Sequence, residues 1–593
     1  MTAKQLLYVE FMRVRTFSHC AWKTYMRNCT TNLKDRWYNK ACRGKKGIQI
    51  IIWRHFKLDI YVKDFVRPGE GDAAQGIMAA LQAAKEKGAD RVVFEPGTYY
   101  MKSVVYTDTG DNEWDNGALQ LKEKDVHILV EDFEDITLQG ALSPEGEIQT
   151  VLVGHNDMKK HSLLPPILWC KNNKRLKVEN FKVCRDRNFA SSGTVVAKTA
   201  DYVDVKVFEG EECYDGMPAF CMNRFIDGKL TGESVNYGFG SSVDFELVGE
   251  NLLRMRDPDI VSKVEVGQDL SWHQGARTDF QCYFGYSDSF TLKNFWTSNS
   301  NGFAMIADNC GDILAENVTF KPDGKRFFTG PRDAWKLLKC RGNVTVANMY
   351  CEGVRMDGQN MHSTWMLLKE KTDEKTGIFY SKYTYAPLQN GTVMEFYNKE
   401  EIETAVITDW EFMEHKDDGN YYRVRFDRPI PEYMQQDSFA AAQCWEVKSY
   451  TCTDSHFKNI AGAGHLIRYD NIHIKNCNYE NMMNPGIMLG AELPTHYEGG
   501  HCVGALIEDC EFDNCGFFPR YDTVGGIGVN SAGFSGPYNK DITIKNCIFK
   551  NSDVGIHLTN CQNVTTQGCR FENVKESYRI DKNTTKNLKL DKA

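Results

Sequence analysis

The chain has 593 residues, 42% hydrophobic and 25% charged, which fits an ordinary globular fold and excludes collagen-like, coiled-coil and disordered classes. No window approaches 18 uninterrupted apolar residues, which argues against a membrane-spanning helix. The net charge of −9 is unevenly spread: residues 1–50 are strongly basic, with Glu10 and Asp35 as their two acids, so the rest is an acidic body unsuited to nucleic acid.

Residues 1–56 show no repeat and no apolar stretch of the kind a signal peptide needs. They read as an extension outside the fold, with a nucleic-acid-binding arm as the less favoured alternative. Residues 57–194 read as an N-terminal cap and first coils. Within them, 76–87 is an amphipathic helix stopped by Gly88, followed by a strand at 91–94 and a turn at 95–98. Residues 195–285 and 363–443 break the repeat described next, and their alternating strands predict inserted β-rich modules, small barrels in particular. Residues 286–362 and 444–575 are coils, and 576–593 is a tail.

The repeat places β-branched residues two apart, then two polar residues, a Cys or small residue, and an aromatic. Copies lie at 290–296, 313–320, 344–351, 472–479, 505–512, 542–549 and 564–571. Period-two alternation makes each copy a strand, and strands this short bury their faces and edges only by stacking. The expected fold class is therefore all-β: a parallel β-helix with a capping helix and inserted modules. Twenty cysteines without any CxxC follow this frame, as in Ile-Lys-Asn-Cys at 474–477 and 544–547. They read as small buried hydrophobes with free thiols, which points to a reducing, cytoplasmic setting.

A second strand in each coil opens on Asp or Asn: Asn301, Asp333, Asp357, Asn484 and Asp553. Alternation turns Trp335 and Leu337 inward and Lys336 and Leu338 outward. One coil later, Gln359 and Met361 face in, and Asn360 and His362 face out. Asp333 and Asp357, 24 residues apart, belong on adjacent rungs. On this reading alone they are either catalytic acids or two steps of a structural Asx ladder shared with Asn301, Asn484 and Asp553.

The segment 62–102 resembles the capping region of the pectin-lyase-like superfamily, whose fold is a right-handed parallel β-helix. The stretch 332–362 (RDAWKLLKCRGNVTVANMYCEGVRMDGQNMH) is similar to the inverting α-1,3-galactosidases that cleave blood-group-B-like terminal galactose. Asp333, Cys340-Arg341-Gly342, Asp357, Asn360 and His362 carry the match, with Arg468 and the turn His496-Tyr497-Glu498-Gly499-Gly500 downstream. The chain departs from that family twice: Met356 precedes Asp357 where the family has a second Asp, and Lys336 stands where it has His.

Inverting hydrolysis needs a protonated acid and a water-activating carboxylate about 6.5–9.5 Å apart. Adjacent rungs are only about 4.8 Å apart, so Asp333 and Asp357 fit better as one partner set. Glu498 is the candidate for the opposing group. Lys336, Asn360, His362, Arg468, His496 and Tyr497 are candidate substrate contacts, with Lys336 also able to hold Asp357 ionised. Trp272, His273 and Trp365 either stack on sugar or pack in a core. Zinc spacings and dense calcium-type acid clusters are missing from the sequence, so no cofactor is expected. The expected function is inverting removal of a terminal α-linked sugar, which the resemblance narrows to α-galactose, from an oligosaccharide or glycoconjugate. A polysaccharide lyase or epimerase using Lys336 or Arg468 as base, and a non-catalytic β-helical binding protein, are the alternatives.

Overall fold

The computed structural model describes residues 37–43, 49–55, 58–108, 123–155, 164–186, 190–235, 243–274, 280–324, 326–382, 384–398, 402–416, 419–490, 497–519, 522–531 and 533–592. Residues 1–58 form one compact unit, whose described part is the antiparallel hairpin Trp37–Arg43 and Gln49–His55. Residues 59–593 form the other.

The second unit is a parallel β-helix. One long sheet carries the β-branched repeat, and a 12-stranded sheet carries the Asp-opened strands, running from Ile128–Glu131 to Glu576–Ile580. Parallel pairing lets each coil cover the open edge of its neighbour, the reason such short strands persist. Inside, aromatic rings stack from coil to coil: Phe457 on Tyr479, Tyr479 on Phe512 and Phe512 on Phe549, with centroids 4.8–5.1 Å apart. The helix spans Ala74–Lys87 and buries Ile77, Ala80, Leu81 and Ala84 against the first strands.

Cys477, Cys510 and Cys547 stack at one level, because Ile474, Ile507 and Ile544 pair in register. Among the described residues sixteen cysteines are free, and all but Cys213 and Cys569 are buried. Burial pushes the Cys561 thiol, for example, up to about 12, which makes it a poor nucleophile. Titration of unfolded, unreduced protein is expected to find close to all twenty cysteines of the chain as thiols. Several disulfides in protein from its natural source would overturn that result and the expectation of a reducing compartment together.

The two insertions are modules. In the first, strands from Ala190–Lys198 to Asp269–His273 pair in a ring that closes through Met217–Ile226. Phe280–Gly285, which the sequence places in this insertion, instead pairs with Leu168–Lys171 and Phe303–Asp308 in the coil sheet. Its unbroken apolar run hid its place: both faces of that sheet are covered here, so it does not alternate. The second module is a closed six-stranded barrel formed between Met366 and Ala442. The expected tail is another coil, since Glu576–Ile580 pairs with Val554–Leu558 and Thr585–Lys589 with Cys561–Gln567.

The strand pairing also corrects the Asx ladder. Trp335 pairs with Gln359, so Asp333 and Asp357 do share a level. Met305, however, pairs with Trp335, which sets Asn301 two residues out of step. Ile487 and Ile556 fall at the level of Gln359, which sets Asn484 and Asp553 one residue out. Turn lengths differ between coils, so equal spacing from the first apolar residue does not mean equal height. The two aspartates are therefore not steps of a ladder shared with the other three residues.

Candidate active site

The site strand is Gln359–Thr364. Its inward residue Gln359 accepts a hydrogen bond from Tyr450 inside the coil, which leaves Asn360 and His362 on the outer face. Lys336 lies beside Asn360 on the preceding strand, and Arg468 follows the next one, His465–Ile467. This outer face is not open to solvent. Leu338, outward as expected, packs with Trp169, Phe303 and Ile306 in an apolar layer next to Lys336.

Glu498 arrives from far along the chain. Glu498–Gly499 runs antiparallel to the end of the site strand, pairing Glu498 with Thr364 and Gly499 with Ser363. The carboxylate lies 2.8 Å from Lys336 Nζ, 3.0 Å from Arg468 Nη1 and 3.3 Å from His362 Nε2. Asn360 joins the acids: its Nδ2 donates to Asp333 Oδ2 at 3.2 Å and lies 3.4 Å from Glu498 Oε1. Its Oδ1 accepts from Arg468 at 3.1 Å. One amide thus brackets both carboxylates.

Asp357 accepts the backbone N–H of Ala463 at 2.8 Å, and its own N–H lies 3.4 Å from Asp333 Oδ1. This contact depends on Gly462, where a Cβ would sit 2.6 Å from Asp357 Oδ1. The Ala-Gly-Ala-Gly run at 461–464 was the sequence signal for this approach. Asp357, Met356 and Tyr497 are half-buried, while Asp333, Lys336, Asn360, His362, Arg468 and Glu498 are buried.

The environments drive the carboxyls apart. Burial, and then the negative charge of Asp333, hold the Asp357 carboxyl well above its ordinary value. Burial alone would raise Glu498 too, but His362, Lys336 and Arg468 outweigh it and hold that carboxyl well below the usual range. Burial drives the His362 imidazole down to about 4. The expectation that Lys336 serves Asp357 is thereby corrected: its ammonium contacts Glu498.

The two modules flank the strand. Arg355, just before it, is buried against Phe328 and donates to Asn223 at 2.9 Å and to Ser271 in the first module. Trp365, just after it, is buried among Tyr397, Tyr538 and Phe439. Trp272 is likewise buried, in the first module's core, and His273 is buried in the same strand. All three take the packing alternative. Tyr497 has a left-handed backbone (φ 54°) and lies under the Lys382 ammonium, 5.4 Å from its ring centre. His496 falls outside the described residues. No group of three or more His, Cys, Asp or Glu suited to a metal ion occurs among the described residues, and no described helix is long and apolar enough to cross a membrane.

Comparison with known proteins gives a consistent picture. Residues 440–591 match the family model described as "Right handed beta helix region". The chain is 20% identical over 526 residues to alpha-1,3-galactosidase A of Shewanella woodyi, covering 82% of this chain and 81% of that protein. It is 19% identical to alpha-1,3-galactosidase B of Bacteroides thetaiotaomicron, covering 76% and 75%. Among solved structures it is similar to an exopolygalacturonase from Thermotoga maritima (TM-score 0.41, 9% identity, 90% of this chain and 91% of that one). It is also similar to the mannuronan C-5 epimerase AlgE6 A-module of Azotobacter vinelandii (TM-score 0.39, 9% identity, 90% and 100%). The architecture is a right-handed parallel β-helix, and the curated relatives support a glycoside hydrolase on it.

Proposed function

We propose that the protein removes a terminal α-linked sugar, α-galactose before others, from an oligosaccharide or glycoconjugate. The observation that carries this reading is the convergence of Asp333 and Glu498, from separate segments, on Asn360, with Asp357 beside Asp333 and Arg468 on Glu498. The names of the relatives support the choice of galactose.

Inverting hydrolysis needs one carboxyl that keeps its proton and one that has lost it. Asp357 takes the first part and protonates the leaving oxygen as the glycosidic bond breaks. Asp333 beside it is the charge that helps keep this proton in place. Glu498, held ionised, takes a proton from the water that attacks the anomeric carbon. Lys336 and Arg468 orient its two oxygens, and the sugar hydroxyls meet Asn360, His362 and Tyr497. The lyase reading would need Lys336 or Arg468 as base, and both are committed to Glu498.

Purified protein should turn over an aryl α-galactoside within a panel of aryl α- and β-glycosides. The first sugar released should be the β-anomer by proton NMR, as inversion requires. Release of the α-anomer would remove Glu498 as base, and a panel without turnover would favour the binding-protein alternative.

A further inference from the structure

We propose that the inserted barrel positions Glu498, through a Glu395–Tyr397–His501 chain that grips the segment carrying it. The inference deepens the hydrolase reading and rests on it for the role of Glu498, but not for the grip itself.

Glu395 and Tyr397 are two residues apart on one barrel strand, Val393–Tyr397, and so share a face. The Tyr397 hydroxyl donates to Glu395 Oε2 at 2.6 Å. It lies 2.7 Å from His501 Nδ1. With its one proton committed to Glu395, the hydroxyl must accept from His501, which fixes the proton on Nδ1. Gln443 donates to the other Glu395 oxygen at 3.3 Å. Tyr397, Glu395 and His501 are all buried, so each bond is kept from competition with water.

His501 lies three residues beyond Glu498, and the residues between have no slack. Gly500 adopts φ 109°, and a Cβ there would lie 2.1 Å from the Arg468 carbonyl oxygen. A Cβ at Gly499 would lie 2.9 Å from the Trp365 nitrogen. The Trp365 N–H donates to the Tyr497 carbonyl at 3.0 Å. Farther on, the Val503 N–H donates to Asp470 at 2.7 Å. The segment is thus pressed on the backbone of the site strand and of Arg468, with its far end held by the barrel. Losing the grip at His501 frees the Glu498 carboxylate to drift from Lys336 and Arg468. Fractions of an ångström there are costly, because positioning is what the site supplies.

Tyr397→Phe removes the hydroxyl and keeps the ring that packs on Trp365 and Phe534, and His501→Gln removes the imidazole. The readout is hydrogen exchange of the Trp365 amide, which donates into the segment. Exchange should rise about tenfold in each variant, the scale of one lost hydrogen bond. Amides of Val554–Leu558, remote on the coil, should be unchanged. The kcat on the glycoside substrate should fall about tenfold with KM nearly constant. In the Glu498→Gln background, Tyr397→Phe should lower kcat no further. Exchange at Trp365 equal to wild type in both variants overturns the inference. Because exchange needs no substrate, protein inactive on every glycoside that still shows the faster exchange keeps the grip and loses only the hydrolase reading. An additive loss of kcat in the double variant overturns the positioning of Glu498.

Discussion

Asp357→Asn is expected to lower turnover about 10²–10⁴-fold, the range for loss of a positioned proton-transfer group. Its amide would still accept the Ala463 N–H, so the coil should hold. Stability gives a second, opposite signature. A carboxyl whose folded pKa is raised stabilises the fold while protonated and loses that contribution as pH rises through the folded value. Asn cannot ionise, so the variant should melt at or above wild type on the alkaline side while its turnover falls. The wild-type rate should fall over the same interval, as Asp357 loses the proton it donates. Asp553→Asn is the control: Asp553 is exposed, pairs with Lys575 at 2.7 Å and lies out of step with the site. Full activity in Asp357→Asn, or equal losses in both variants, would remove Asp357 from the mechanism.

Glu498→Gln is expected to cost about 3–5 kcal/mol of stability, measured by denaturant unfolding, as well as turnover. The reason is what the change leaves behind. Lys336 and Arg468 are both buried, and both lose the carboxylate of Glu498. Replacing Lys336 by Met in the same chain should recover part of the loss, since one of the two cations that faced the carboxylate is then gone. The pH dependence runs against that of Asp357. Glu498 has a depressed folded pKa, so its stabilisation is complete above its ordinary value near 4.5 and is lost as pH falls through the folded value. Wild type should therefore show acid destabilisation that Glu498→Gln lacks. A variant as stable as wild type, with the same acid limb, would mean that the network contributes nothing.

Much of this protein is legible along its chain, for a definite reason. Alternation is a local property, so the repeat of β-branched, Cys and aromatic residues specifies stacked strands, the free thiols between them and which residues of 335–338 and 359–362 face outward. The helix with its Gly88 stop and the two strand-rich interruptions are local signals of the same kind. Height along the coil is not local, because it accumulates the length of every turn. The template that joined Asp333 and Asp357 to Asn301, Asn484 and Asp553 failed at the last three, where the turns differ. Electrostatic partnership is not local either. Lys336 lies 24 residues before Asn360 and 162 before Glu498, yet its ammonium serves Glu498, because an antiparallel pairing at Thr364 folds that distant turn onto the site strand. Local pattern alone specifies the solenoid, its interruptions and the candidate acids. Which carboxyl is pushed toward its proton and which toward its charge depends on burial and opposed cations, and these come from residues that meet only when the coils stack.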